Sequence, residues 1–166
     1  MGLENTLDKE EIVKEKIEIM TKHLEIQGLD ITEMDAAIGK LSEEYFLRFN
    51  QDEINYHLEK LISNKAKDGE NTIIGLKLIE EEGLMLLFIK TVIDFDTFSI
   101  ITNNLVDKNV SIRDAKVIEL NDGSCIYNFY TDMPKGDAYD IDNKLESLIG
   151  NLSLRLEKKQ ITSKKK

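Results

Sequence analysis

The chain changes its hydrophobic rhythm near the middle. Up to about residue 63 the apolar positions recur every three or four residues, the period of a helix with one buried face. Val13, Ile17, Met20, Leu24 and Gln27 predict a helix over 7–27, with Ile12 and Ile19 widening its stripe and Gly28 as a left-handed stop. Thr32 reads as the cap of a second helix ending near Lys40, with Asp35 at the reciprocal box position. Ser42 opens a third piece carrying Tyr45, Phe46 and Phe49. Asn50 and Glu53 form an N-x-x-E capping box before a fourth, whose buried stripe is Ile54, Leu58 and Leu61. Beyond a polar linker at 64–71 the pattern turns to strands. "TIIGLKLI" and "LMLLFIKTV" flank "EEEG" and predict a hairpin whose second strand is interior. Phe98, Ile101 and Leu105 then step as a helix capped by Asp96 and ended by Asn109. "VSIRDAKVIEL", "NDG" and "SCIYNFYTD" give a second hairpin. A last helix over 139–156 buries Ile141, Leu145, Leu148, Leu152 and Leu156, widened by Ile149.

The second half therefore reads β, β, α, β, β, α. Without its first strand this is a ferredoxin-like βαββα unit lacking the final strand. The first strand, residues 72–79, is expected on the edge that the missing strand would occupy. The fold class is α+β, with a helical lead-in (1–63), a linker (64–71), the sheet domain (72–157) and a basic tail (158–166).

Composition narrows the function classes. One cysteine, Cys125, permits no internal disulfide, and a reducing, cytoplasmic setting is the expectation. No apolar run approaches the roughly 20 residues of a membrane span. The net charge of −10 is uneven: +5 from Lys144 onward and −15 before it. An acidic body of this kind repels nucleic-acid phosphates, so neither nucleic acid nor membrane is expected as a partner.

Two stretches together carry a family resemblance. "EYFLRFNQDEINYHLEKL" resembles the helical lead-in to the regulatory domains of bifunctional PII uridylyltransferases, through Tyr45, Phe46, Arg48, Asn50, Glu53, Ile54, Tyr56 and His57. "LLFIKT", the following helix, "VSIRDAKV", the "DG" hairpin and "YNFYTDM" resemble an ACT domain of the same enzymes. The resemblance spans about residues 30–150. It implies a regulatory, glutamine-type sensing module in nitrogen metabolism, acting on catalytic domains upstream that use magnesium and UTP and modify the PII signalling protein. The chain itself then needs no cofactor. It shows neither a metal-binding His-Asp pair nor a glycine-serine turn followed by paired aspartates.

The same resemblance points to the strand-to-helix loop for a ligand. Asp94, Phe95, Asp96, Thr97 and Phe98 precede a helix N-terminus, where free N–H groups suit a carboxylate. An amino acid's ammonium could meet Asp94 or Asp96, and Ile112, Arg113 and Asp114 would face it, with a dimer interface as one way of bringing them in. Two features favour the alternative, an interaction or dimerisation module without a small ligand: Asp96 serves equally well as a plain cap, and the family's turn glycine is absent from "IDFDTF". His57 has no metal-ligand neighbour at the right spacing and reads as structural, Cys125 as a small core residue.

Overall fold

The computed structural model describes residues 2–63, 72–92 and 96–165, with side chains described for 8–30, 32–63, 72–92 and 96–157. The chain divides into two compact units, Met1–Glu70 with Leu120–Asp122, and Asn71–Glu119 with Gly123–Lys166. The expected linker at 64–71 lies outside the described residues.

The first unit holds α1 (Gly2–Ile26), α2 (Met34–Gly39), α3 (Glu43–Arg48) and α4 (Gln51–Ser63). α1 packs on α3 and α4, and α2 on α4. Met20, Leu24, Tyr45, Phe46, Phe49, Ile54 and Leu58 are all buried to 2% exposure or less. The capping residues behave largely as their chemistry dictates. Ser42 Oγ accepts from Tyr45 N at 3.2 Å. Asn50 and Glu53 exchange backbone-to-side-chain bonds of 2.9 Å in both directions, so two orphan N–H groups at the start of α4 are satisfied. Gly28 takes φ +74°, the left-handed cap conformation that glycine adopts without a Cβ penalty.

The structure corrects several details of the helical half. α1 starts at Gly2, well before Leu7. Ile12 and Ile19 do not widen its buried stripe: they are 42% and 43% exposed, and Gln27 is exposed as well. Thr32 is not the cap of α2. It lies in a 3-10 turn, Ile31–Glu33, and its hydroxyl and backbone N–H both donate to Asp30 Oδ1, at 2.7 and 3.0 Å. Asp30 closes an Asx-type turn on the residue two positions on, and those two bonds lower its carboxyl below the usual carboxylate range.

One contact unforeseen from spacing ties α1 to the corner between α3 and α4. Lys16 Nζ donates to the carbonyls of Phe46 and Phe49 at 2.7 and 2.9 Å. A cation there satisfies carbonyls that the end of α3 leaves open and opposes the negative end of its dipole. Gln51 Nε2 in turn donates to the Lys16 carbonyl at 3.0 Å.

The second unit is a four-stranded antiparallel sheet with two helices. β1 (Ile73–Ile79) and β2 (Leu84–Val92) form the first hairpin, with Gly83 at φ +66° ending a 3-10 turn over Glu80–Glu82. α5 (Thr97–Asp107) follows, then β3 (Ile112–Glu119), β4 (Ser124–Asp132) and α6 (Ala138–Lys165). The order across the sheet is β1-β2-β4-β3, every pair antiparallel. This is a ferredoxin-like arrangement, with β1 on the edge where a final strand would lie. Met85, Leu87, Ile89, Tyr127 and Phe129 from the sheet pack with Ile101 and Leu105 of α5 and Leu148, Leu152 and Leu156 of α6. Met85 through Ile89 are all at 3% exposure or less, as a continuous apolar run implies for an interior strand.

α6 does not stop near Leu156. It continues to Lys165, because the following residues include no proline or glycine and several strong helix formers.

Replacing Lys16 by methionine keeps the apolar stem and removes the donors. Urea unfolding should show a loss of about 1–3 kcal/mol, against well under 1 kcal/mol for the same change at exposed Lys14.

Candidate functional site

The expected ligand site lies entirely in the second unit. Asp94 and Phe95 fall outside the described residues. Asp96 stands at the N-cap position of α5, but its side chain makes no cap hydrogen bond, contrary to expectation. Its backbone is already helical, at φ −81° and ψ −17°, and a capping carboxylate needs an extended backbone to reach back to the N–H groups of the first turn. The Asp96 carbonyl instead accepts from Ile100 N at 3.0 Å. Thr97 is buried, and Phe98 is 42% exposed with its ring 5.7 Å from that of Phe129.

The residues expected to face this loop do not lie beside the strand end that leads into it. Val92, the last residue of β2, pairs with Ser124. Ile112 pairs with Thr131, seven residues further along β4, which is about 23 Å at 3.3 Å per residue. Asp114 pairs with Tyr130, next to Phe129 in β4, so alternation turns Asp114 away from the face that α5 covers. Arg113 sits at a register irregularity between Ile112 and Asp114. Its guanidinium grips Asp132, Nε to Oδ1 at 2.6 Å and NH2 to Oδ2 at 3.2 Å. That pair raises the Arg113 pKa further, first through the hydrogen bond and then through the charge. A free carboxylate ligand would have to displace Asp132 to engage Arg113. Among the described residues Phe98 reaches Phe129 of β4, which pairs with Ala115 beside Asp114, whereas Val92 and Ile112 lie at opposite ends of β4.

Other chemistry-bearing side chains take structural places. His57 is fully buried, and a 2.7 Å hydrogen bond joins its Nδ1 to the Tyr45 hydroxyl. Burial, and then the charge of Glu53, push the Tyr45 hydroxyl well above the usual phenol range, so it stays protonated. Phe49 meets the His57 ring edge-on at 5.0 Å. Cys125 is buried on β4, and desolvation raises its thiol pKa, which opposes nucleophilic use. Among the described residues no group of three His, Cys, Asp or Glu side chains is placed to hold a metal ion. Among them, too, no helix is long and apolar enough to cross a membrane.

Sequence reasoning missed two polar clasps, Lys16 on α3 and Arg113 on Asp132. The second had a signal: opposite charges placed close to facing positions of a predicted hairpin. The first had none, since a lysine on a mixed helix face does not reveal which carbonyls it will meet.

No family model matches the chain. It is similar to the bifunctional uridylyltransferase/uridylyl-removing enzyme of several bacteria. Identity to the Vibrio vulnificus (strain YJ016) enzyme is 23% over 142 residues, which is 86% of this chain and 16% of that protein. For Pseudomonas entomophila it is 27% over 118 residues, 70% of this chain and 13% of that protein. For Vibrio cholerae it is 24% over 164 residues, 99% of this chain and 18% of that protein. The chain thus spans less than a fifth of the length of these curated relatives and matches a C-terminal fragment of them.

Replacing Tyr45 by phenylalanine should cost about 1–3 kcal/mol in urea unfolding, because it removes the hydroxyl that the buried His57 Nδ1 bonds to. Arg113→Ala should leave the urea midpoint almost unchanged, since the Arg113–Asp132 pair is solvent-exposed.

Proposed function

We propose that this chain is a regulatory module of the PII uridylyltransferase type, an ACT-like domain that senses an amino acid of the glutamine class for catalytic domains outside the chain. One observation carries the reading. The residues similar to a C-terminal part of that enzyme fold as a helical lead-in followed by a sheet in the order β1-β2-β4-β3. The signal would pass to the upstream catalytic domains and, through them, to the PII protein, in a cytoplasmic setting. Magnesium and UTP would belong to those domains, and the module itself would perform no transfer.

A second reading has its own support. The clasp of Asp132 on Arg113 and the separation of residues 112–114 from the end of β2 favour a module that docks or dimerises without a small ligand. Under the first reading a second copy would have to supply Ile112 and Arg113 to the loop of its partner.

Isothermal titration of the chain with a panel of amino acids separates the two. Sensing predicts heat with glutamine at up to millimolar concentration, weakened at least about fivefold by Asp96→Ala or Phe98→Ala. A panel without heat and without any shift in melting temperature rejects the sensing reading for this domain.

A further inference from the structure

α1 carries an outward stripe that the core of the first unit does not use. Ile12, Ile19 and Ile26 are 42%, 43% and 83% exposed. They repeat every seven residues, two helical turns, so they stand in line about 10 Å apart along the helix. Scattered exposed isoleucines need no explanation, but three in register on one helix form the seam that a second helix covers.

The charges beside the seam select the partner. On one flank, Lys16 is spent on the Phe46 and Phe49 carbonyls, and His23 lies 3.4 Å from Glu59 of α4. On the other flank stand Asp8, Glu11, Glu15 and Lys22, all exposed. Glu15 and Lys22 are placed almost symmetrically about Ile19 and opposite in sign, while Asp8 and Glu11 reflect about Ile19 onto positions 30 and 27, past the end of the helix. In an antiparallel helix pair, like flanks meet. We infer that α1 pairs with α1 of a second copy of this chain, antiparallel about Ile19, with Ile12 against Ile26 of the partner and Glu15 against Lys22 of the partner. The antiparallel sense also sets the two helix dipoles against each other favourably. A parallel pair would set Glu15 and Lys22 against a flank whose Lys16 and His23 are already engaged. Three isoleucines and two ion pairs cover less than the roughly 800 Å² per partner of a standard interface, so the dimer is reversible and depends on concentration.

Sedimentation velocity of the full chain, from low micromolar to near-millimolar concentration, tests this. The expected result is a monomer–dimer equilibrium whose dissociation constant rises more than about tenfold in Ile19→Glu, with an unchanged far-UV spectrum. Glu15→Lys and Lys22→Glu should each weaken the dimer, and the double reversal should restore it to within about threefold. Ile26→Ser, at the most exposed position of the seam, carries the same test should Ile19→Glu fail to fold. A chain that stays monomeric throughout overturns the inference. So does a dimer indifferent to both isoleucine changes, which would pair through another surface such as the β1 edge, and so does a double reversal that fails to restore association.

Discussion

Two hairpins, β1–β2 and β3–β4, form from neighbouring segments, and neither alone presents a surface wide enough for two helices. The antiparallel contact of β2 with β4 joins them, from Leu84 against Asp132 to Val92 against Ser124. It is the long-range pairing of the sheet and bears the loop-closure entropy of the whole α5–β3 connection. What offsets that cost is apolar burial: Leu87 lies against Phe129 and Ile89 against Tyr127, on the face where α5 and α6 seat Ile101, Leu105, Leu148 and Leu152. Both helices pack on residues from both hairpins, so the placement of the described candidate residues in this unit depends on one register.

That register decides what the unit can do as a single chain. It puts Val92, which leads into the Asp94–Phe98 loop, at one end of β4, and Ile112 at the other. The bulge at Arg113 lets its guanidinium turn onto Asp132. A ligand that touches both the end of β2 and the start of β3 has to span that distance or draw on a second copy, whereas a module without a ligand works through its surfaces. The exposed isoleucines of α1 supply one such surface, built on the first unit and independent of the sheet.

Much of the fold was legible because local chemistry and long-range packing agree. Ser42, Asn50, Glu53 and Gly28 act where their side chains or lack of one predict. Glycine at 83 and 123 and the β-branched runs mark both hairpins. The misreadings come from competition that one sequence does not rank. Asp30 takes the turn from Thr32 because its carboxylate accepts from both the backbone N–H and the hydroxyl of Thr32, which leaves that hydroxyl engaged. Ile12 and Ile19 count as apolar in any pattern, yet only the pattern of partners on α3 and α4 says which side of α1 is covered. The candidate site was less legible still. Its residues are adjacent in the order of elements, and only strand register shows that β3 begins far from where β2 ends.

The register itself is open to direct measurement by cross-strand proton contacts in nuclear magnetic resonance spectra. The account predicts contacts between Phe88 and Asn128 and between Val92 and Ser124 on β2–β4, together with Ile112 to Thr131 on β3–β4. Contacts displaced by one or more residues, or β3 found beside β2, would contradict it.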